Sequence, residues 1–281
     1  MILFKSITLL KKYLEKLRSQ NLSIGFVPTM GALHNGHLSL IKACKKQCDI
    51  VVCSIFVNPT QFNDKKDFEK YPVTTNSDMQ LLESNETDIL FLPAVDEIYP
   101  EGLQQLKHFD LGYLENILEG EHRPGHFQGV CNVVYRLLNI IVPDTIFLGR
   151  KDYQQYLVLK KIMQEFYPAI SISPVDIVRE KNGLAMSSRN MRLSNEAHAK
   201  ASSIYQSLLF IKQNFDKENF DTLKLQANEI LLQNGFDRVD YIEICNANTL
   251  LPASNSDGEK QLITLAAAFI ENVRLIDNLM L

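Results

Sequence analysis

Through residues 1–180, two kinds of hydrophobic pattern alternate along the chain. Leu10, Tyr13, Leu14 and Leu17 recur at helical spacing among lysines, which predicts an amphipathic first helix. SIGFVPTM (23–30) is an apolar run that reads as a buried strand, and a helix follows it through LSLIKACKK. DIVVCSIFVN (49–58), TDILFLP (87–93) and DTIFLG (144–149) read as further strands. Between the last two, GVCNVVYRLLNIIV sets Val130, Val133, Val134, Leu137, Leu138 and Ile141 on one helical stripe. This strand–helix–strand repetition predicts an α/β fold, a Rossmann-like doubly wound parallel sheet with helices on both faces. Ligands of such sheets bind beyond the carboxyl ends of the strands. PTMGALHNGH, VNPTQF and GRKDYQQ each come directly after a strand, so three polar motifs are expected at one sheet edge.

The pattern changes after residue 176. Residues 194–235 read as two helices broken near FDKENFD, and DYIEI and QLITLAAAF read as short strands. ASNSDGEKQ between those strands reads as a polar turn. The expected organisation is therefore a larger domain over 1–176 and a smaller α+β domain over 177–281, joined through VREKNGLAMSSRN.

Composition removes several function classes. With 281 residues, 46% of them hydrophobic, the chain can bury a sizeable core. A formal charge of −4 lacks the basic excess of a nucleic-acid binder, so any anion contact is local. Lys5, Lys11 and Lys12 interrupt the N-terminal apolar stretch, and no run of apolar residues is long enough to span a membrane. Five cysteines in apolar surroundings read as reduced core thiols of a cytoplasmic protein. Cys44 and Cys48 can share a helix face, but without nearby histidines they make a poor zinc site.

The chemistry centres on PTMGALHNGH. A strand ending at Met30, a turn at Gly31 and a helix beginning near His34 aim free helix N–H groups at the sheet edge, which favours an anion. His34 and His37 lie on one face of the first turn, where imidazoles can stabilise charge on a leaving pyrophosphate. Gly36 between them lets a flat base pack on the backbone. The alternative is a chance pairing capped by Asn35, but a shuffled chain of this composition holds H-x-G-H only roughly 0.005 times. GLAMSSRN (183–190) offers the hydroxyls of Ser187 and Ser188 and the guanidinium fork of Arg189. Read alone it is an ordinary polar loop; at a joint between domains it becomes a clamp. Lys151 can neutralise phosphate, and Asp152 can accept from a ribose, though a Lys-Asp helix start needs no function. Gln61, Gln155 and Asn58 suit a small hydroxy acid, and a turn-forming Asn-Pro explains Asn58 almost as well.

These motifs together are specific. The strand followed by PTMGALHNGH resembles the H-x-G-H nucleotidyltransferase superfamily. With FVNPTQF, YPVTT, RPGHFQGV, GRKDYQQ and GLAMSSRN following in order, the chain resembles the pantothenate synthetase (pantoate–β-alanine ligase) family from about residue 20 to 195. RLIDN near the C-terminus is a weaker echo. The resemblance implies that Met30, Gly31, Ala32, Leu33, His34, Asn35, Gly36 and His37 line an ATP pocket, with His37 as proton donor. It implies that Gly149, Arg150, Lys151, Asp152, Val178, Met186, Ser187, Ser188 and Arg189 complete the ATP contacts. Gln61 and Gln155 would hold pantoate, with Gln61 also beside β-alanine. Glu119, Arg123 and His126 match a stretch of pocket wall.

The implied reaction joins (R)-pantoate to β-alanine through a pantoyl adenylate, with Mg²⁺ accompanying ATP as substrate and AMP and pyrophosphate released. The implied assembly is a homodimer, with the second domain acting as a lid. Two positions depart from the family pattern: Arg150, where Glu or Gln is usual, and Ser77, where an acidic partner for Asp78 is common. The second departure puts a direct carboxylate contact to magnesium in question. Two other readings stay open at this point: a nucleotidyltransferase that keeps AMP in its product, and a nucleotide-binding protein without catalysis.

Overall fold

The computed structural model describes residues 1–104, 106–255 and 261–281. Its contacts separate two units, Met1–Arg150 with Gln155–Asp176, and Lys151–Gln154 with Ile177–Leu281. Among its described residues, the first unit holds six strands: β1 (Ile2–Phe4), β2 (Ile24–Thr29), β3 (Ile50–Ile55), β4 (Ile89–Phe91), β5 (Thr145–Gly149) and β6 (Ser171–Val175). They pair in parallel, in the order β1-β4-β3-β2-β5-β6. The parallel α/β sheet expected from the pattern is present, and the four strands read from the sequence form its contiguous interior.

The two strands that the pattern did not reveal are the sheet's edges. β1 is three residues long and partly exposed, and β6 reads SISPV, with serines at alternate positions and Pro174 inside it. Edge strands tolerate such residues because one side needs no hydrogen-bond partner. The apolar face of the Ile7–Arg18 helix, Leu10, Leu14 and Leu17, is buried as its spacing predicts. Val27, Ile41, Val51, Leu82, Leu90 and Phe147 join in one of the cores flanking the sheet.

Strand order reverses between β2 and β5, and the chemistry of β2 opens the sheet there. The Ile24 carbonyl accepts from Asp144 N–H on the β5 side, so every second residue from 24 faces β5. Pro28 falls on that side and has no N–H to donate. β2 pairs with β5 only at Gly25 and Phe26, whereas it pairs with β3 through Thr29. The carboxyl ends of β2 and β5 thus flank a topological switch point, where α/β sheets bind ligands.

The second unit has helices Asn195–Ala201, Ser203–Asn214 and Phe220–Gln233, then an antiparallel sheet of β7 (Arg238–Asn246), β8 (Leu262–Ile270) and β9 (Val273–Met280) in that order. Where two helices were expected over 194–235, there are three. Ser202 and Ser203 turn their hydroxyls onto the carbonyls of Ala199 and Lys200, and side-chain bonds of this kind compete with helical ones. The third strand, β9, holds the RLIDN stretch. Glu271 and Asn272, both left-handed, make the two-residue turn from β8 to β9. Leu208, Ile211, Leu223, Leu231, Ile244 and Ala266 lie in this unit's core. Of the polar turn expected at 253–261, residues 256–260 lie outside the described residues.

Candidate active site

The H-x-G-H segment leaves β2 and enters the helix Asn35–Gln47, whose N-cap is His34. Gly36 N–H donates to His34 Nδ1 at 3.1 Å, and His34 N–H donates to His37 Nδ1 at 3.3 Å. Each imidazole therefore caps the helix start with one nitrogen. A nitrogen that accepts carries no proton, so the neutral tautomer of each ring carries its proton on Nε2. The rings lie 4.1 Å apart, tilted by 40°, and both are half-buried. The spacing thus yields a matched pair of N–H donors on one helical turn, each oriented by the backbone of the motif itself.

The turn before the helix is braced from a distance. Ala32 has a φ of +49°, a conformation that costs an L-residue energy. Asp78, almost fully buried, accepts from Ala32 N–H at 2.9 Å and Leu33 N–H at 2.8 Å, and Thr74 Oγ1 donates to it at 3.0 Å. Both carboxylate oxygens thus hold the loop in shape. Thr29 Oγ1 adds a bond from Gly31 N–H at 3.3 Å. Met30 and Gly31 border a cavity of about 230 Å³ whose polar lining includes Thr74 and Asp78, so the braced loop faces open space.

Gln61 sits in a short 3-10 turn, Pro59–Gln61, just beyond β3. Its Nε2 lies 2.8 Å from Met30 Sδ, and its Oε1 accepts from Asn58 Nδ2 at 3.1 Å. Asn58 is fully buried: its amide also donates to Gly129 O at 3.1 Å, and its oxygen accepts from Tyr99 Oη at 2.9 Å. Asn58, one of the residues read as touching substrate, thus also shapes the Gln61 turn. The helix His126–Ile141 crosses so closely that a Cβ on Gly129 would lie 2.1 Å from the Thr60 carbonyl oxygen. His126 is buried too. Arg123 can only donate, so its Nη1, 3.0 Å from His126 Nε2, leaves the His126 proton on Nδ1, which donates to Gln61 O at 2.7 Å. Glu119, 3.6 Å from the guanidinium, completes a line of contacts that ends on the Gln61 backbone. Gln155 is half-buried on the helix Tyr153–Phe166.

At the end of β5, a Cβ on Gly149 would meet nothing within 4 Å. Arg150 next to it turns to Asp176, 3.0 Å away in an exposed ion pair. Arg150, expected among the ATP contacts, is thus paired with a carboxylate of the first unit. Lys151 and Asp152 belong to the second unit, with Lys151 Nζ 4.0 Å from Asp152 Oδ1.

In the second unit, residues 178–186 form a hairpin: Arg179 pairs with Ala185, and Met186 N–H donates to Val178 O at 3.0 Å. The hairpin delivers Ser187, the N-cap of the 3-10 turn Ser188–Arg192, whose Oγ accepts from Arg189 N–H at 3.3 Å. Ser187 and Arg189 are half-buried and Ser188 is buried. Asn190 ties the turn back to the hairpin through Glu180 and the Ala185 carbonyl. Residue patterns alone did not single out Tyr99, Arg179 or Asn278 as partners of these segments. The only signal for Asn278 was its place in RLIDN.

Comparisons with known proteins place the whole chain. A family model described as pantoate-beta-alanine ligase matches residues 2–280. A pantothenate synthetase from Cytophaga hutchinsonii is 44% identical, the match covering 100% of this chain and 99% of that protein. One from Buchnera aphidicola is also 44% identical, over 99% of this chain and 98% of that one. Among solved structures, a pantothenate synthetase from Thermus thermophilus aligns with a TM-score of 0.91 at 37% identity, with 99% of each chain covered. The Francisella tularensis pantoate-beta-alanine ligase, complexed with beta-gamma ATP and beta-alanine, aligns at 0.83 and 38% identity over 100% of this chain and 97% of that one. Matched almost end to end by both the family model and these relatives, this chain belongs to the pantoate-beta-alanine ligase family.

Proposed function

We propose that this protein condenses (R)-pantoate with β-alanine in two steps. A pantoate carboxylate oxygen attacks the α-phosphorus of ATP, the bond to the bridging oxygen breaks, and pyrophosphate leaves. The β-alanine amine then attacks the acyl carbon of pantoyl adenylate, the acyl–oxygen bond breaks, and AMP departs with one former pantoate oxygen. The acyl phosphate is already activated, so the protein supplies position and charge stabilisation.

The observation that carries this reading is the pair of helix-capping imidazoles. Their Nε2–H groups are oriented before any ligand arrives, as stabilisation of a developing phosphate charge requires. His34 and His37 are assigned to the phosphates, with His37 as donor to the leaving pyrophosphate. Met30 to His37, Gly149, Lys151, Asp152, Val178 and Met186 to Arg189 are assigned to ATP. Arg150 leaves that set, because Asp176 holds its guanidinium. Gln61 and Gln155 are assigned to pantoate, with Asn58 and His126 as positioning residues behind Gln61. Both oxygens of Asp78 accept from backbone N–H groups of the H-x-G-H turn, which assigns this carboxylate to the turn. Magnesium is read as part of the Mg·ATP substrate, carried on phosphate oxygens. A cytoplasmic setting suits the free cysteines, since burial pushes the thiols of Cys53, Cys131 and Cys245 up to about 12 and keeps them protonated. A homodimer is the assembly that the family resemblance suggests.

Pantoate labelled with ¹⁸O in its carboxylate tests the chemistry. One labelled oxygen should appear in AMP, and AMP should accumulate catalytically only when β-alanine is present. Unlabelled AMP, or ADP as the nucleotide product, would exclude the acyl-adenylate route.

A further inference from the structure

Strand β9 carries a carboxylate where its pattern calls for an apolar side chain. Val273, Leu275 and Leu279 point into the core of the second unit, and Asp277 occupies the same alternate position, almost fully buried. Burial raises the pKa of this carboxyl, and the guanidinium of Arg179 opposes the shift. Replacing a buried ion pair by apolar side chains is often neutral or stabilising, so stability alone is a weak reason for this one.

Its partners suggest another. Arg179 meets Asp277 as a fork, Nη1 to Oδ2 at 2.6 Å and Nη2 to Oδ1 at 2.9 Å. The same guanidinium donates to Gly183 O at 3.1 Å, at the tip of the 178–186 hairpin, and lies 3.7 Å over the Tyr205 ring. Gly183 has a φ of +94°, and a Cβ there would lie 2.6 Å from Tyr205 Cδ1, so the tip is seated on that ring. The next residue of β9 holds the other segment: Asn278 Nδ2 donates to Lys151 O at 2.9 Å, and Asn278 N–H donates to Asp277 Oδ1 at 2.8 Å. Adjacent residues of one strand thus fix the hairpin that leads into Ser187–Arg189 and the backbone that carries Lys151. All these residues lie within the second unit.

We propose that Asp277 and Asn278 are positioning residues that set the spacing between Lys151 and the Ser187–Arg189 turn, and so prepare the second unit for phosphate. The inference rests on the assignment of Lys151 and Ser187–Arg189 to ATP. Neither residue is placed in contact with substrate; each acts through a group that it holds.

A double-mutant cycle tests this, read by the single-turnover rate of pantoyl adenylate formation. Asn278→Ala should slow that step by about tenfold, in line with the loss expected when a catalytic group shifts by less than an ångström. In a Lys151→Ala background, Asn278→Ala should cost less than about twofold, because the backbone it fixes no longer aims an ammonium. Full additivity would overturn the proposal and leave Asn278 a merely structural residue. If Lys151→Ala alone left adenylation unchanged, the assignment of Lys151 to phosphate would fail and the proposal with it. The paired replacement Arg179→Met with Asp277→Leu guards against misfolding. It should unfold near the parent temperature yet adenylate about tenfold or more slowly. A parent-like rate would overturn the role of Asp277, and a rate loss matched by loss of the folded signal would assign the pair to stability.

Discussion

The two segments assigned to phosphate are built on opposite plans. In the first unit, the H-x-G-H turn organises itself, with His34 and His37 accepting from backbone N–H groups two and three residues away. In the second, the hairpin before Ser187 is set by a partner far along the chain, Arg179 reaching Asp277 across 98 positions. A self-capped turn needs only its own sequence, so its donors are poised whenever the helix forms. A hairpin held by a distant strand is poised only when the whole unit has folded. The difference lies in which contacts can be lost without disturbing the local chain.

The largest effect expected from this contrast falls on the histidines. His34→Ala or His37→Ala should slow adenylate formation by about 10²–10³, the loss typical of one donor to a developing oxyanion. Each should also lower stability by about 1 kcal/mol, since each removes a cap. His34→Asn separates the two roles, because asparagine caps well but presents no imidazole Nε2–H. It should unfold like the parent in a thermal melt and adenylate as slowly as His34→Ala. Parent-like adenylation by His34→Asn would mean that the ring matters only as a cap.

The helix start at His34 and His37 was legible in the sequence because its capping contacts lie within the same four residues. So were the inner strands, whose apolar runs match full burial on both faces. What was not legible depended on distance or on mixed signals. Edge strands β1 and β6 are short or interrupted by polar residues, and the break at Ser202 rests on hydroxyls competing within a helix. Asn58 reads the same whether it faces a ligand or a neighbouring carbonyl, and its bonds to Gly129 and Tyr99 arise only from packing. Asp78 is the sharpest case. Its carboxylate holds the H-x-G-H turn from 46 positions away, a contact that no local pattern announces.

Asp78 therefore limits how self-sufficient the first segment is. Asp78→Asn keeps the size of the side chain but turns one oxygen into a donor facing the N–H of Ala32 or Leu33. An unpaired buried N–H costs about 1–3 kcal/mol, so the melting temperature should fall measurably. Loosening of the turn should slow adenylation by about tenfold. Amide hydrogen exchange should speed up at Ala32 and Leu33 before it does in β2. A variant with normal exchange at both residues would show that the turn needs no support from outside the motif.

The smallest effect is expected at Arg150, between the two plans. Its side chain is 43% exposed and pairs with Asp176, itself at the surface. Exposed pairs contribute about 0–1 kcal/mol and weaken with salt. Arg150→Glu replaces that attraction by a repulsion of similar size, so the protein should stay folded and become slightly salt-sensitive. The ATP requirement should change by less than about threefold, well under the 1.4 kcal/mol that a tenfold change represents. Lys151→Ala, one residue on, removes the ammonium assigned to phosphate and should cost about one to two orders of magnitude. Steady-state kinetics of both variants at low and high salt check the order. Adding Asp176→Lys to Arg150→Glu restores an attractive pair and should cancel the salt sensitivity without changing the ATP requirement. If Arg150→Glu is the more damaging of the two, the arginine leaves Asp176 to bind ATP, and the phosphate ligand after β5 is Arg150 instead of Lys151.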